Sequence, residues 1–232
     1  MSKEQTAVAD GATPQSPTVE DYLQTIYSLE TEGERVISAR LARWMRVTPP
    51  TAWATVQRMK RDKMVDIDGK KTIHLTEYGR GLAENVARRH RLTERFLVDI
   101  MELGWADAHM EAHHFEHGVT PLIEKQMVKL LNNPTTCPHG SPIPGTGATL
   151  DPAWRPLDSF EEGNRAEVKF ISEELEEDGD LLHYLEQHSI RPGQAVTIAE
   201  RVPSNNLVVF DVDGTQVSLN LTVAARIRAL AL

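Results

Sequence analysis

RVTPPTAWATVQRMKRDKMVDIDGKKTIHLT, residues 46–76, reads as a helix that runs into a hairpin. Thr48 is an N-cap by residue type, and Pro49 and Pro50 fit the first turn, where a missing N–H costs little. Ala52, Val56 and Met59 then recur at helical spacing as an apolar stripe. Beyond Met64, two short alternating runs flank Asp68-Gly69, a hairpin signal. Upstream, VEDYLQTIYSLET (19–31) places Tyr22, Leu23, Ile26, Tyr27 and Leu29 near a helical period. SARLARWM (38–45) gives a shorter helix with Ser38 as its N-cap. Helix, helix, helix, hairpin is the layout of a winged helix-turn-helix, expected over residues 18–78 behind a disordered arm at 1–17.

The chain as a whole is acidic, with a net charge of −9 over 232 residues. Within 35–71, however, ten Lys and Arg outnumber three acids, Asp62, Asp66 and Asp68. From Asp158 to Glu186 the balance inverts, with eleven acids against Arg165 and Lys169. A basic block inside an acidic chain marks a local polyanion site. A recognition helix in a DNA groove would use it as follows. Thr48, Pro50, Thr51, Trp53 and Thr55 face base edges, Arg58 and Arg61 follow, and Lys70 and Lys71 at the wing tip reach phosphate. The threonines offer methyl contacts to thymine more readily than bidentate hydrogen bonds. The bland alternative is a basic, solvated helix.

A second motif carries different chemistry. In AHMEAHHFEHG (108–118), His109, His113, Glu116 and His117 project within an arc of roughly 100° at ~100° per helical residue. Upstream, in RRHRLTERF (88–96), His90 and Glu94 stand four apart and share a helical face. Either face alone is an ordinary polar surface; two on consecutive helices bring five or six ligand-type side chains within reach of each other. Imidazole and carboxylate together suit first-row divalent ions. No Glu directly follows the first His of an i, i+4 pair, so the HExxH of a zinc protease is absent.

The rest of the chain supplies context. Hydrophobic residues make up 40% of it, enough for a core, and no apolar run approaches the ~20 residues that span a bilayer. The first residues lack the apolar stretch of a secretory signal, and Cys137 is the single cysteine, which suits a cytoplasmic protein. A long helix is expected over 77–102, a metal-type helix over 106–117 and another over 120–132, together a helical metal-binding and dimerisation domain at 79–140. Leu82, Val86, Phe96, Leu97, Ile100, Leu122, Met127 and Leu130 divide between its core and a dimer interface. Residues 133–159, rich in Pro, Gly and Thr, read as loop, with the linker proper at 141–159 and Cys137 an unremarkable thiol within it. AEVKFIS, QAVTIAER, NLVVFDV and TQVSLN are strands of a small β-barrel-like domain at 160–232, with LLHYLEQHSIRPG a helix and turn between them. The fold class is mainly α with a small β domain.

Winged helix, His/Glu-bearing helices and β domain, in this order, resemble the diphtheria-toxin-repressor family of metal-dependent regulators, in VEDYLQTIYSLE, RRHRLTERFL, HMEAHHFEH and GSPIPG above all. The resemblance runs from about Val19 onward and implies an SH3-like C-terminal domain and a homodimer on a near-palindromic operator. It further implies a primary metal site of Asp21, His113, Glu116 and His117, with Asp21 like the Asp of the manganese-sensing branch where the iron branch has Met. His113 departs from both the Cys and the Glu those branches carry at its position. His90, Glu94 and His109 match an ancillary site completed from the β domain, for which Asp178 is the nearest match, beside Glu177, with Leu181 in place of a Gln. Gln24 stands where manganese sensors carry Glu.

A sulfur-free primary set favours Mn²⁺, then Fe²⁺, while Zn²⁺, Co²⁺ and Cd²⁺ bind in vitro by the Irving–Williams trend. The expected function is a metal-dependent DNA-binding regulator, in the repressing sense, in which the ion joins the DNA-binding domain to the helical one. The rivals are a metal-independent winged-helix regulator sensing a small molecule, and a metal-dependent hydrolase, for which no dedicated base is evident.

Overall fold

The computed structural model describes residues 15–232, so nearly all of the expected arm falls outside the described residues. Helix α1 (Pro17–Thr31) opens with a proline at its first turn, two residues before the expected start. Helix α2 (Ser38–Trp44) is capped from Ile37, and Ser38 is its first helical residue. Helix α3 (Pro49–Arg61) starts as expected, with the Thr48 hydroxyl accepting from Thr51 N at 3.4 Å.

Strands β1 (Val65–Ile67) and β2 (Ile73–Leu75) pair antiparallel with Asp66 opposite His74. The turn between them is not a two-residue Asp-Gly hairpin. Five residues intervene, Asp68 Oδ1 accepts from Lys70 N and Thr72 N at 2.8 Å each, and Lys71 rather than Gly69 takes the positive φ. Leu23, Ile26, Leu29, Leu41, Val56, Met59 and Ile73 bury the centre of this unit.

Helix α4 (Glu77–Asp99) begins at the Thr76 cap, with Gly79 N donating to its hydroxyl at 3.0 Å. Gly79 lets α4 press on the strand: a Cβ there would lie 1.8 Å from Met64 O. Helix α5 (Trp105–Phe115) ends in a 3-10 turn, Glu116–Gly118, and α6 (Pro121–Leu130) follows behind the Thr120 cap. Val86, Leu97 and Met127 are core, whereas Ile100, Leu122 and Leu130 are exposed, beside Met110, Phe115 and Ile123.

The remaining strands are β3 (Arg155–Pro156), β4 (Arg165–Ile171), β5 (Ala195–Val202), β6 (Leu207–Val212), β7 (Thr215–Asn220) and β8 (Ile227–Ala231). They form one antiparallel sheet in the order β3-β8-β4-β5-β6-β7, so the expected barrel is not closed by hydrogen bonds. Strand β8, which sits between β3 and β4, has no counterpart among the expected strands. IRALA has the composition of a helix, and only its pairing with β3 and β4 fixes it as strand. Between the strands lie α7 (Glu173–Glu176), α8 (Gly179–Gln187) and α9 (Leu221–Ala224).

The stretch read as a linker is partly core. Cys137, His139, Ser141 and Ile143 are buried, Arg91 of α4 donates to Pro142 O, and Ile171 N donates to His139 O at 2.9 Å. Gly140 makes this possible, with φ +94° and Lys169 O only 2.2 Å from where a Cβ would stand.

The β unit is docked on the winged unit through charge. Arg40 pairs with Glu34 (2.7 Å) and Glu174 (2.5 Å), Arg226 pairs with Glu34 (2.6 Å), and Arg46 donates to Glu177 O (2.5 Å). Part of the basic block therefore faces α7 rather than solvent. Glu32 lies in the same seam, accepting from Ser172 Oγ at 2.6 Å and Glu173 N at 3.2 Å. Burial pushes its carboxyl from 4.5 up to about 7 against those hydrogen bonds. The folded state then binds the extra proton, so stability falls as pH rises from about 4.5 to 7. Glu32→Gln is expected to flatten that slope in urea midpoints measured across pH 4.5 to 8. An unchanged slope would assign it to other groups.

Candidate metal centre

Five segments converge on one chamber. The first turn of α1 brings Glu20 and Asp21, α4 brings Arg89, His90 and Glu94, and α5 with its 3-10 turn brings His109, His113, Glu116 and His117. The buried loop contributes His139, and α7 contributes Glu173 and Glu176 with Glu177 at its end.

An outer cluster joins Asp21, Glu116 and His117, whose ligand atoms lie within 4.8 Å of one another. His117 Nε2 stands 3.5 Å from Asp21 Oδ1 and 3.8 Å from Glu116 Oε1, so the winged unit and the helical unit meet here. Burial raises the Asp21 carboxyl, with His117 opposing. The cluster opens on a cleft of about 280 Å³ that Gln24, Trp44, Arg46, His113 and Glu177 also line.

The inner cluster joins Glu94, His109, His139 and Glu176, all buried. His109 Nδ1 lies 2.8 Å from Glu94 Oε1 and 3.1 Å from Glu176 Oε2; His139 Nδ1 lies 3.2 Å and 3.3 Å from the same two oxygens. Metal–ligand bonds of about 2.1 Å set neighbouring ligand atoms roughly 3.0 to 3.4 Å apart, a range that three of these four distances meet. His90 contacts Glu94 (3.3 Å) and hydrogen-bonds Glu116, so it links the two clusters.

Of the expected ligands, His113 does not join the outer cluster. Its Nε2 faces His109 Nε2 (3.3 Å) and Glu177 (3.6 Å), and its ring lies 4.6 Å from that of His90. Asp178 also stands apart: its carboxylate is the N-cap of α8, accepting from Leu181 N at 3.1 Å. The position expected for it is held by Glu176, two residues earlier, because α7 turns that side chain inward. Glu176 and His139 are the residues that sequence reasoning missed. Cys137-Pro138-His139-Gly140 carries a signal, two metal-type side chains two apart in a turn, which the loop-like composition around it masks.

The electrostatics ask for a cation. Glu94 Oε2, Glu116 Oε1, Glu176 Oε1 and His139 Nε2 are buried without a hydrogen-bond partner. Unpaired buried carboxylate oxygens cost free energy that a bound divalent ion removes. Without one, protons do the balancing. Burial pushes the His109 imidazole down, but Glu176 and Glu94 outweigh it and lift it to about 10. His90 and His139 are raised against burial in the same way, and Glu94 is held well below the usual carboxylate range, burial notwithstanding, by His90 and His139. Burial pushes the Cys137 thiol well up, with Glu94 and Glu176 adding to it, so that it stays protonated. The donor set is nitrogen and oxygen, which suits Mn²⁺, Fe²⁺ or Zn²⁺.

The outer side of α3 and the wing carries the remaining basic residues. Thr48, Pro50, Thr51, Trp53, Arg58 and Arg61 are exposed along α3, and Pro50, Trp53, Arg35, Lys70 and Lys71 line one groove between helix and wing. Arg35 braces the wing through Thr72 Oγ1 (3.1 Å) and Lys70 O. Thr55 departs from expectation: it is buried on the inner side of α3 with Ala52, Val56 and Met59, and so cannot meet a base edge. One residue of phase decides this, since Ala54 beside it is exposed.

Comparison with known proteins places the chain as a whole. Three family models match in order: the iron-dependent repressor N-terminal DNA-binding domain at 15–73, the iron-dependent repressor metal-binding and dimerisation domain at 76–145, and the FeoA domain at 155–229. The chain is 37% identical over 203 residues to the iron-dependent repressor IdeR of Mycobacterium leprae, covering 83% of this chain and 88% of that protein. It is 35% identical to the diphtheria toxin repressor of Corynebacterium diphtheriae, over 79% and 85% of the two chains. Among solved structures, a manganese-dependent transcriptional repressor in complex with manganese superposes with a TM-score of 0.81 at 29% identity, over 92% of this chain and all of that one. ScaR with bound Zn²⁺ superposes at 0.76 and 27%, over 92% and 99%. The chain belongs to the iron-dependent repressor family and is a metal-dependent, DNA-binding transcriptional regulator.

Proposed function

We propose that this protein is a homodimeric repressor that senses Mn²⁺, with Fe²⁺ as the second candidate, and acts in the cytoplasm on genes of metal homeostasis. The single observation that carries the reading is the approach of Asp21 to Glu116 and His117 across the boundary between the DNA-binding and helical units. An ion held there ties the two units together. Its effect on DNA binding equals its preference for the tied arrangement over the untied one.

Asp21, Glu116 and His117 are the proposed regulatory ligands, with His113 at the mouth of the same cleft. Glu94, His109, His139 and Glu176, with His90, are the proposed second site. There two imidazoles and two carboxylates would hold the ion, and Glu176 would link α7 of the β unit to α5 through it. The β unit is read as an SH3-like module that supplies Glu176 and seats α7 on the winged unit through Glu174. The proposed domains are 18–78, 79–140 and 160–232, with the buried stretch up to Pro144 belonging to the helical domain in packing terms.

The exposed Met110, Phe115, Leu122, Ile123 and Leu130 support a second copy of the chain as partner, since Leu122 and Leu130 are 70% and 57% exposed on one short helix. No helix among the described residues is long and apolar enough to cross a membrane. DNA contact is assigned to Thr48, Pro50, Thr51, Trp53, Arg58, Arg61, Lys70 and Lys71.

Operator-shift titrations with Mn²⁺, Fe²⁺, Zn²⁺ and chelator, on wild type and His117→Ala, test this. Mn²⁺ is expected to tighten wild-type binding about 10- to 100-fold, in line with ordinary coupling energies, and to leave His117→Ala at its chelator value. Equal binding by wild type with metal and with chelator would overturn the proposal.

A further inference from the structure

We propose that Glu20 is the positioning residue of the outer cluster: it holds the His117 imidazole in its Nδ1–H tautomer so that Nε2 turns its lone pair to the ion. This rests on the reading of Asp21, Glu116 and His117 as a metal site and adds a residue outside that set.

The two ring nitrogens of His117 see different surroundings. Nδ1 lies 2.7 Å from Glu20 Oε2, a full hydrogen bond. Nε2 lies 3.5 Å from Asp21 Oδ1 and 3.8 Å from Glu116 Oε1, too far to donate to either. A neutral imidazole carries one N–H, and the nitrogen with an acceptor in range keeps it. The other nitrogen then faces two carboxylates with an open lone pair, an arrangement that repels them unless a cation lies between. Glu116 Oε1 has no hydrogen-bond partner, which is the second sign that this space belongs to an ion.

Glu20 is itself held in place. Its other oxygen, Oε1, accepts from Arg89 Nη2 of α4 at 3.0 Å. Glu20 and Asp21 are adjacent on α1, and neighbours on a helix diverge by ~100°, so they reach the same imidazole from two sides. Arg89, Glu20 and His117 side chains are 21%, 16% and 24% exposed, sheltered enough for the chain of bonds to persist. Carboxylate–histidine–metal triads of this kind fix ring orientation and tautomer, and their loss costs about 10- to 100-fold in metal affinity.

The test uses Mn²⁺ alone, titrated into full-length Glu20→Ala, Glu20→Gln and Asp21→Ala, with free Mn²⁺ read by EPR. Long-range ¹⁵N–¹H correlation of the His117 ring in metal-free protein, at a pH where the ring is neutral, reads the tautomer. Glu20→Ala is expected to weaken the site that Asp21→Ala removes by about 10- to 100-fold, leave the inner site unchanged, and move the His117 proton from Nδ1 toward Nε2. Glu20→Gln keeps an acceptor oxygen for the same N–H and is expected to stay within about threefold of wild type. An unchanged tautomer and affinity in Glu20→Ala would overturn the inference and leave the metal site standing. Equal losses in Glu20→Gln and Glu20→Ala would also overturn it, because charge or direct ligation would then be the cause. A wild-type protein with no Mn²⁺ that Asp21→Ala removes would instead overturn the site itself. Should Glu20→Ala fail to fold, Arg89→Ala, which frees the Glu20 carboxylate, is expected to weaken the same site by a smaller factor, and no change would count against the inference.

Discussion

Asp21→Ala is expected to bind operator in saturating Mn²⁺ no better than wild type binds it in chelator, a loss of about 10- to 100-fold. Asp21 is the only member of the outer cluster that comes from the DNA-binding unit; Glu116 and His117 both sit on the 3-10 turn after α5. Removing it leaves an ion able to rest on the helical unit with nothing to tie it to α1. The inner cluster keeps all four of its residues, so metal binding measured by direct titration should persist while operator binding is lost. Folding is not expected to suffer. Burial already raises the Asp21 carboxyl, so at neutral pH its charge opposes the fold, and the metal-free variant should melt at or above the wild-type temperature. Operator affinity in Asp21→Ala that still rises with Mn²⁺ would mean that the ion acts elsewhere, with the inner cluster first in line.

How far the sequence revealed these sites follows from which interactions are local. Helix α3 announced itself through its cap, Thr48, and the helices at large through their stripes, which depend on residues a turn apart. The wing register could not be read that way, since the carboxylate of Asp68, rather than Gly69, organises the turn. Strand β8 was hidden because IRALA has no strand bias of its own and is set by pairing with β4. The same logic divides the candidate metal ligands. His90, Glu94, His109, Glu116 and His117 lie on helical faces that spacing reports. His139 and Glu176 arrive from a loop and a one-turn helix, where no period exists to say which side chain points inward. In the acid-rich run 173–178 the sequence offers five carboxylates, and only the three-dimensional path gives Glu173 to Arg91, Glu174 to Arg40, Glu176 to the inner cluster and Glu177 to His113.

The largest effect on stability is expected from Arg91→Ala. The Arg91 guanidinium is buried where α4, α1, α7 and the 137–143 loop meet. Its Nε and Nη2 donate to Glu173 Oε1 at 2.9 and 2.5 Å, its Nη1 donates to Pro142 O, and it lies 5.5 Å from the centroid of the Tyr27 ring. Glu173 also accepts from the Ser28 hydroxyl. Breaking a buried pair by removing one partner costs about 3 to 5 kcal/mol, because the remaining charge is stranded away from water. The exposed i, i+4 pair of Arg95 and Asp99, at 2.7 Å and about one-third exposed, sets the contrast. Arg95→Ala should cost only about 0.3 to 0.5 kcal/mol.

The pH dependence of the loss separates stranded charge from lost packing. In the wild type, burial raises the Glu173 carboxyl but Arg91 outweighs it and holds it below 4.5, so the contribution is present above that value and lost as pH falls through the folded value. Without Arg91, burial is opposed only by His90 and the Ser28 hydroxyl, the Glu173 carboxyl is expected to move above its unfolded value, and the sign reverses. Stability lost by Arg91→Ala at pH 7 should then be partly regained toward pH 5, and Arg91→Met with Glu173→Leu should recover most of it at both. Urea midpoints at the two pH values measure this. A loss equal at pH 5 and pH 7, and undiminished in the double variant, would show that Arg91 holds the three units together by its shape and its bond to Pro142, with the carboxylate of Glu173 incidental.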